Sequence, residues 1–333
     1  MWGETIYFFE YGIATQAGNL LVVYKFAEGP IFSGSTVMES VSLAPGCWAQ
    51  LGSCATFTFF FKKSFCDACC MPYSLGPFKT FLEEQLEGVY VKSLQIGDSV
   101  AQDLENGYFM AADRQIEMAC NLLKEDPLLK DGFNAVGFSQ GSQFLRAVVQ
   151  RCGDQIPPVL NLVSLGGQHQ GVYGLPNCGA LAHAACDYMR RLLNHAAYFS
   201  WVQHLLVQAT YWHDPLNEDE YKQNSLFLAD INNENSVNQS YVDNLAQLQN
   251  FVMVMFEDDS IVQPRETEWF GFYKPGQAKE MQTLQESDVY QKDRLGLKAM
   301  DQAGKLVFLS TPGNHLQFSS EWFINNILKP YLL

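Results

Sequence analysis

The stretch that most constrains this 333-residue chain is Gly137-Phe138-Ser139-Gln140-Gly141. It follows an apolar, strand-like run, Phe133 to Phe138. It opens a helix-like run, Gln140 to Cys152, with Phe144, Leu145, Val148 and Val149 on one face. A serine between two glycines at a strand–helix junction predicts a turn so sharp that the serine backbone is strained and its hydroxyl stands clear of the sheet. Glycine two places to either side leaves the room that a Cβ would fill. Such a serine requires a base, an orienter for that base, an oxyanion hole and an acyl pocket. The competing reading is a serine that only caps a glycine-flanked helix.

The flanking pattern favours the first reading. Strand-like runs at Val89 to Ile96, Phe133 to Phe138, Val159 to Leu165, Phe251 to Phe256 and Lys305 to Leu309 alternate with helical runs at Ser99 to Lys124, Gln140 to Cys152, Asp293 to Gln302 and Ser319 to Leu333. That alternation predicts a mostly parallel, doubly wound sheet. Within it, Gly-x-Ser-x-Gly is the nucleophile elbow of the α/β-hydrolase fold. Between Gly166 and Asn250 the alternation breaks into helical and loop-like sequence rich in His, Asn, Gln and aromatics. An insertion of about residues 167–249, at the carboxyl edge where ligands sit, is expected to form a cap over the site.

The six histidines are 169, 183, 195, 204, 213 and 315. In this fold the acid and then the histidine follow the serine, on loops after later strands. His315 fits, in the loop Thr311-Pro312-Gly313-Asn314-His315; His169, directly after Val159 to Leu165, is its rival or a pocket-lining residue. The orienter should follow Phe251 to Phe256, where Glu257, Asp258 and Asp259 stand. Asp259, with Val262 three places on, is preferred and Asp258 is the alternative. The N–H of Gln140 is expected to donate to the oxyanion.

A formal net charge of -15 argues against nucleic acid or an anionic membrane as the main partner. No run of about 18 apolar residues marks a membrane span. No Cys/His cluster has zinc spacing, so neither metal nor cofactor is expected. The nine cysteines stand at 47, 54, 66, 69, 70, 120, 152, 178 and 186, open to pairing or to ordinary burial as thiols. One sequon, Asn238-Gln239-Ser240, lies in a polar stretch. Residues 1–66 stand apart: Glu4 and Glu10 precede any basic residue, unlike a secretory signal, and short apolar pieces such as Leu20 to Phe26 are separated by Gly and Ser. This segment is expected to be poorly ordered or an artefact of the gene model, with residues 67–333 forming one domain.

From about Asp67 onward the chain resembles the lysosomal palmitoyl-protein thioesterases of type 1. Long runs carry the resemblance: Gly137 to Ala147, Gly166 to Pro176, Tyr211-Trp212-His213-Asp214-Pro215, Glu268-Trp269-Phe270-Gly271-Phe272-Tyr273 and Asp293 to Lys298. It implies Ser139 as nucleophile, His315 as base, Asp259 as orienter, and a fatty acyl chain released from S-acylated cysteine. The implied substrates are S-palmitoylated proteins or peptides and fatty acyl thioesters. It also implies disulfides Cys69–Cys70, Cys120–Cys152 and Cys178–Cys186, glycosylation at Asn238, and a lysosomal or secreted protein. One stretch departs from the family. Where relatives read His-Gly-Met-Gly-Asp-Ser-Cys-Cys, this chain has Lys63-Ser64-Phe65-Cys66-Asp67-Ala68-Cys69-Cys70. Phe65 then stands where the second oxyanion donor belongs, and loss of one such donor costs about 3–4 kcal/mol of transition-state stabilisation. The alternatives are a lipase or carboxylesterase on the same triad, or a lipid-binding homologue impaired in catalysis.

Overall fold

The structure, a computed structural model, describes residues 20–25, 75–174 and 196–333. Six parallel strands form the central sheet in the order β2-β1-β3-β4-β5-β8. They are β1 (Leu20–Lys25), β2 (Tyr90–Ser93), β3 (Phe133–Phe138), β4 (Val159–Leu165), β5 (Asn250–Phe256) and β8 (Leu306–Thr311). A separate two-residue antiparallel pair, β6 (Phe272–Tyr273) and β7 (Met281–Gln282), lies between β5 and β8 in sequence. The chain winds from β1 outward to β2, then returns to β3 on the other side of β1. The order therefore reverses at β1 and β3, and ligands in open α/β sheets bind beyond the carboxyl ends of strands at such a point. Ser139 follows β3 there. The apolar run Leu20 to Phe26, to which the sequence alone assigned no role, supplies β1, pairing with β2 from Leu20↔Tyr90 and with β3 from Leu21↔Asn134 to Lys25↔Phe138.

Side-chain alternation along the strands feeds two separate cores. Ala135, Leu162, Phe251 and Met253 face one layer. That layer is built with α2 (Val100–Phe109), α3 (Ala112–Lys124), α4 (Gln140–Cys152) and much of the segment after β4. Val136, Phe138, Val163, Leu165, Val252, Val254 and Phe256 face the other, against α1 (Leu75–Gln85) and the C-terminal helix. β3, β4 and β5 are covered on both faces, which is why they read as nearly continuous apolar runs.

Two helical expectations are corrected. Ser99 to Lys124 is two helices. The chain turns extended at Met110, and the Gln115 side chain donates to the Asn106 and Met110 carbonyls, satisfying the end of the first helix better than a ladder could continue it. Asp293 to Gln302 starts its helix only at Leu297, after Gly296 in the left-handed region. The C-terminal element begins as Ser320–Phe323, capped by Ser319, and continues with wider π turns from Ile324 to Leu332 around Pro330.

Between β4 and β5 the described part of the insertion carries short helices at Ser200–Leu205, Glu218–Asn224, Leu228–Ile231 and Gln239–Ala246. Gln239–Ala246 packs on α4 and the end of Leu228–Ile231 is bonded to it; α4 itself is buried along almost its whole length. Polar side chains at helical spacing on α4 anchor this cover. Gln143 donates to the Gln168 carbonyl at 2.6 Å, and Gln150 to the Ile231 carbonyl at 2.7 Å. Arg146, fully buried, donates to the carbonyls of Ile231 and His169 and to Asn232 Oδ1, with its guanidinium over the Phe270 ring. A disulfide joins Cys120 of α3 to Cys152 at the end of α4. Cys69, Cys70, Cys178 and Cys186 lie outside the described residues.

Candidate active site

Ser139 sits between β3 and α4 with φ 52° and ψ −126°, a strained conformation for a residue with a Cβ. Its N–H donates to the Leu165 carbonyl at 2.7 Å, and its carbonyl accepts from Ser142 N–H at 2.9 Å. These bonds hold the turn from both sides. Gly137 makes it sterically possible, because a Cβ there would stand 2.5 Å from Ser142 Cα. The turn leads straight into the first residue of α4, Gln140, whose N–H belongs to the helix-start amides that no intrahelical carbonyl receives. Phe65 lies outside the described residues.

The loops after β5 and β8 come together at the same edge. Glu257 N–H donates to the Thr311 carbonyl and Asp258 N–H to the Gly313 carbonyl, both at 3.0 Å. Asn314 Oδ1 accepts from Ser260 N–H at 2.9 Å and from His315 N–H at 2.7 Å. This crosslink sets the imidazole opposite Asp259: His315 Nδ1 donates to Asp259 Oδ2. The other carboxylate oxygen accepts from Ile261 N–H at 2.7 Å and Val262 N–H at 2.8 Å. That second bond is the physical content of the Asp-x-x-Val spacing. Burial pushes the Asp259 carboxyl up, but its bonds to His315, Glu268 and the Val262 amide outweigh burial and hold it below the ordinary range. The side chains of both members are nearly or fully buried. With Nδ1–H donated to Asp259, the tautomer leaves Nε2 as the basic nitrogen.

Gly166 lies between this pair and the serine turn. It follows Leu165, whose carbonyl holds Ser139 N–H, and a Cβ on it would lie 2.9 Å from His315 Cε1. A side chain at 166 would displace the imidazole.

The remaining candidates fall elsewhere. Asp258 is exposed and, among the described residues, linked only to Gly313, its N–H donating to the Gly313 carbonyl and its carboxylate accepting from Gly313 N–H at 3.4 Å. Glu257 accepts from the Ser310 hydroxyl on the surface. His169 is fully buried under the insertion, with Nε2 at 2.8 Å from Ser164 Oγ and its ring stacked on Phe270 at 4.6 Å. Burial and the nearby Arg146 push it well below the usual histidine range, so it stays neutral within the core. His213 is stacked between Tyr221 and Phe272 and bonded to the Gln170 carbonyl and to Glu218. Asn238 caps the helix Gln239–Ala246 at the surface, its side chain accepting from Ser240 N–H. An open depression of about 630 Å³, lined by Asp113, Arg151, Asp154 and Asp230, lies at the far end of α4 from the serine. Its acidic lining does not suit an acyl chain.

Sequence reasoning missed one group here. Glu268, on the 3₁₀ helix Arg265–Trp269, is fully buried beside Asp259. Among the described residues, Asp259, Glu268 and His315 are the cluster compact enough to hold a cation, with one atom from each within 4.8 Å of the others. The Asp259 oxygens, Glu268 Oε2 and the imidazole Nδ1 are committed to one another and to backbone amides, while Glu268 Oε1 is buried without a hydrogen-bond partner. The signal was a glutamate inside an otherwise aromatic run, Glu268-Trp269-Phe270, where burial of a carboxyl is the exception.

A strained serine at the sheet edge, backed by a buried Asp–His pair, is shared by many hydrolases, so relatives decide between them. The sequence profile of palmitoyl protein thioesterases matches residues 60–315. The chain is 48% identical over 267 residues to palmitoyl-protein thioesterase 1 of Caenorhabditis elegans, covering 80% of this chain and 89% of that protein. It is 34% identical over 264 residues to palmitoyl-protein thioesterase 3 of Dictyostelium discoideum, covering 78% and 87%. It is 30% identical over 178 residues to lysosomal thioesterase PPT2 of Homo sapiens, covering 53% and 57%. On the strength of that profile and of the first two relatives, the chain belongs to the palmitoyl protein thioesterase family.

Proposed function

We propose that the protein hydrolyses the thioester linking a long-chain fatty acyl group to cysteine in S-acylated proteins or peptides, with Ser139, His315 and Asp259 as its catalytic triad. The observation that carries this is the Asp259–His315 contact, set against the strained Ser139 turn by Gly166 in a chain of this family. His315 Nε2 takes the proton from Ser139 Oγ as that oxygen attacks the thioester carbonyl carbon. Asp259 stabilises the imidazolium that forms. The Gln140 N–H donates to the oxyanion, and we assign the second donor to the backbone of Phe65. The tetrahedral centre collapses, the C–S bond breaks, and the imidazolium returns its proton to the departing sulfur. Water, deprotonated by the same histidine, then attacks the acyl-serine ester and frees the fatty acid.

The expected site of action is the lysosome, with secretion as a second destination. The human relative's name, the Cys120–Cys152 disulfide and the Asn238 sequon support it. No helix among the described residues is long and apolar enough to cross a membrane. We further propose that residues 67–333 act as one catalytic domain whose 167–249 insertion covers the acyl chain.

The test is turnover of a long-chain acyl thioester beside the matching oxygen ester, with fluorophosphonate labelling of Ser139. Preferential thioester cleavage with labelling is expected. Preference for the oxygen ester would reassign the protein as a carboxylesterase, and a folded protein that resists labelling would be a lipid-binding relative without catalysis.

A further inference from the structure

Glu268 has no role in the triad, yet it is fully buried within the same cluster. Its Oε2 accepts from Phe256 N–H at 2.9 Å, at the end of β5. Its Oε1 is sealed from solvent without a hydrogen-bond partner, in a cluster where Asp259, Glu268 and His315 each place an atom within 4.8 Å of the others. The 3₁₀ helix that carries it cannot withdraw. Trp269 Nε1 donates to the Met253 and Leu309 carbonyls, Thr267 Oγ1 accepts from Gln170 N–H, and the Thr267 carbonyl accepts from His169 N–H.

We propose that the Glu268 carboxyl donates its O–H to Asp259 and so fixes the aim and the charge of the residue that orients His315. Glu268 is then a positioning residue, and the inference rests on the triad reading above. Two ionised carboxylates this close, out of water, would repel strongly, and one of them must keep its proton. The titratable groups beside Glu268 are Asp259, His315 and Glu266. Burial, then the charge of Asp259, push the Glu268 carboxyl well above the ordinary carboxylate range, while Asp259 is held below it by His315. The proton therefore resides on Glu268. With Oε2 taken by Phe256 N–H, the hydroxyl is Oε1, and the acceptor before it is Asp259. Asp259 thus receives bonds from His315, two backbone amides and Glu268, and it cannot rotate away from the imidazole. The same bond draws charge from the carboxylate, so the imidazolium is stabilised enough to form but still yields its proton to the leaving sulfur.

Two substitutions separate this from simple packing. Glu268→Gln keeps an N–H donor toward Asp259 and a carbonyl for Phe256 N–H. Glu268→Leu removes both. The readouts are kcat and KM for a long-chain acyl thioester across the acid limb of the pH profile, the low-field proton signal of the His315–Asp259 bond, and circular dichroism. Glu268→Leu is expected to lower kcat about tenfold to a hundredfold at unchanged KM, as misplaced catalytic groups do. It should also move the acid limb to higher pH and broaden the low-field signal. Glu268→Gln is expected to rescue kcat, with the acid limb and the signal in place. A Glu268→Gln enzyme as impaired as Glu268→Leu overturns the proposal. So does an acid limb that falls by about one pH unit or more in Glu268→Gln, because removing an ionised carboxylate from beside His315 would do that. Should Glu268→Leu fail to fold, the Glu268→Gln profile alone still decides. Ser139→Ala is assayed alongside: retained turnover there sinks the triad reading itself, whatever Glu268 does.

Discussion

At the sheet edge Asp259 meets His315, while along α4 the guanidinium of Arg146 meets only two carbonyls, an amide oxygen and an aromatic face. Both are buried charges, yet they are compensated differently. The edge pairs an acid with a base whose proton can move. The seam under the insertion surrounds a cation with dipoles that cannot exchange protons with it. Burial lowers the Arg146 pKa to about 9, still above neutrality, so it stays charged and acts as an anchor. The difference separates chemistry from attachment among residues that look equally polar and equally hidden.

The largest effect that would break this contrast is at the edge. Ser139→Ala should lower thioester turnover by about a millionfold without changing the thermal unfolding midpoint. Asp259→Asn should cost about 10⁴-fold in kcat through the wrong imidazole tautomer, while Asp258→Asn, one residue away and exposed, should stay close to wild type. A reversed order would move the orienter to Asp258. In the seam the loss should appear as stability. Arg146→Met removes three hydrogen bonds from the seam and takes the donor from Asn232 Oδ1, and should lower the unfolding free energy by about 3 kcal/mol in denaturant titrations, with the remaining folded enzyme still active. A loss of kcat with unchanged stability would make the seam part of the chemistry.

The smallest effect is in pH dependence, where the two acids of the cluster have opposite signs. Asp259 is lowered from 3.8, so its contribution is present above that value and fades as pH falls through its folded pKa. Glu268 is raised from 4.5, so its contribution is present below that value and fades as pH rises through its folded pKa. Denaturant midpoints measured against pH should therefore lose their acid-side decline in Asp259→Asn and their alkaline-side decline in Glu268→Gln.

The edge was legible in sequence because its signals are short and local: glycines around a serine, an acid after one strand, a histidine after the next. The seam was not. Gln143, Arg146 and Gln150 fall on one stripe of α4, and a polar stripe opposite Phe144, Leu145 and Val148 normally faces water. Only the tertiary placement of Ile231 and Asn232 turns it inward. The break at Met110 was hidden for the same reason, since the Gln115 amide that ends the helix acts across a gap that helical periodicity does not register. Leu20 to Lys25 carried no turn or spacing that tied it to the sheet, and only its pairing with β2 and β3 gives it a place.

The bond from Ser139 N–H to the Leu165 carbonyl also bears on how long the serine stays poised. It spans β3 and β4, both covered on their two faces, so no loop fluctuation can open it. Such amides exchange with solvent only through large-scale unfolding. The Ser139 amide should then rank with the slowest in a hydrogen-exchange experiment, unusual for a residue at an active-site turn. The strain in its backbone would persist for as long as the molecule remains folded, with no cheaper local motion to release it.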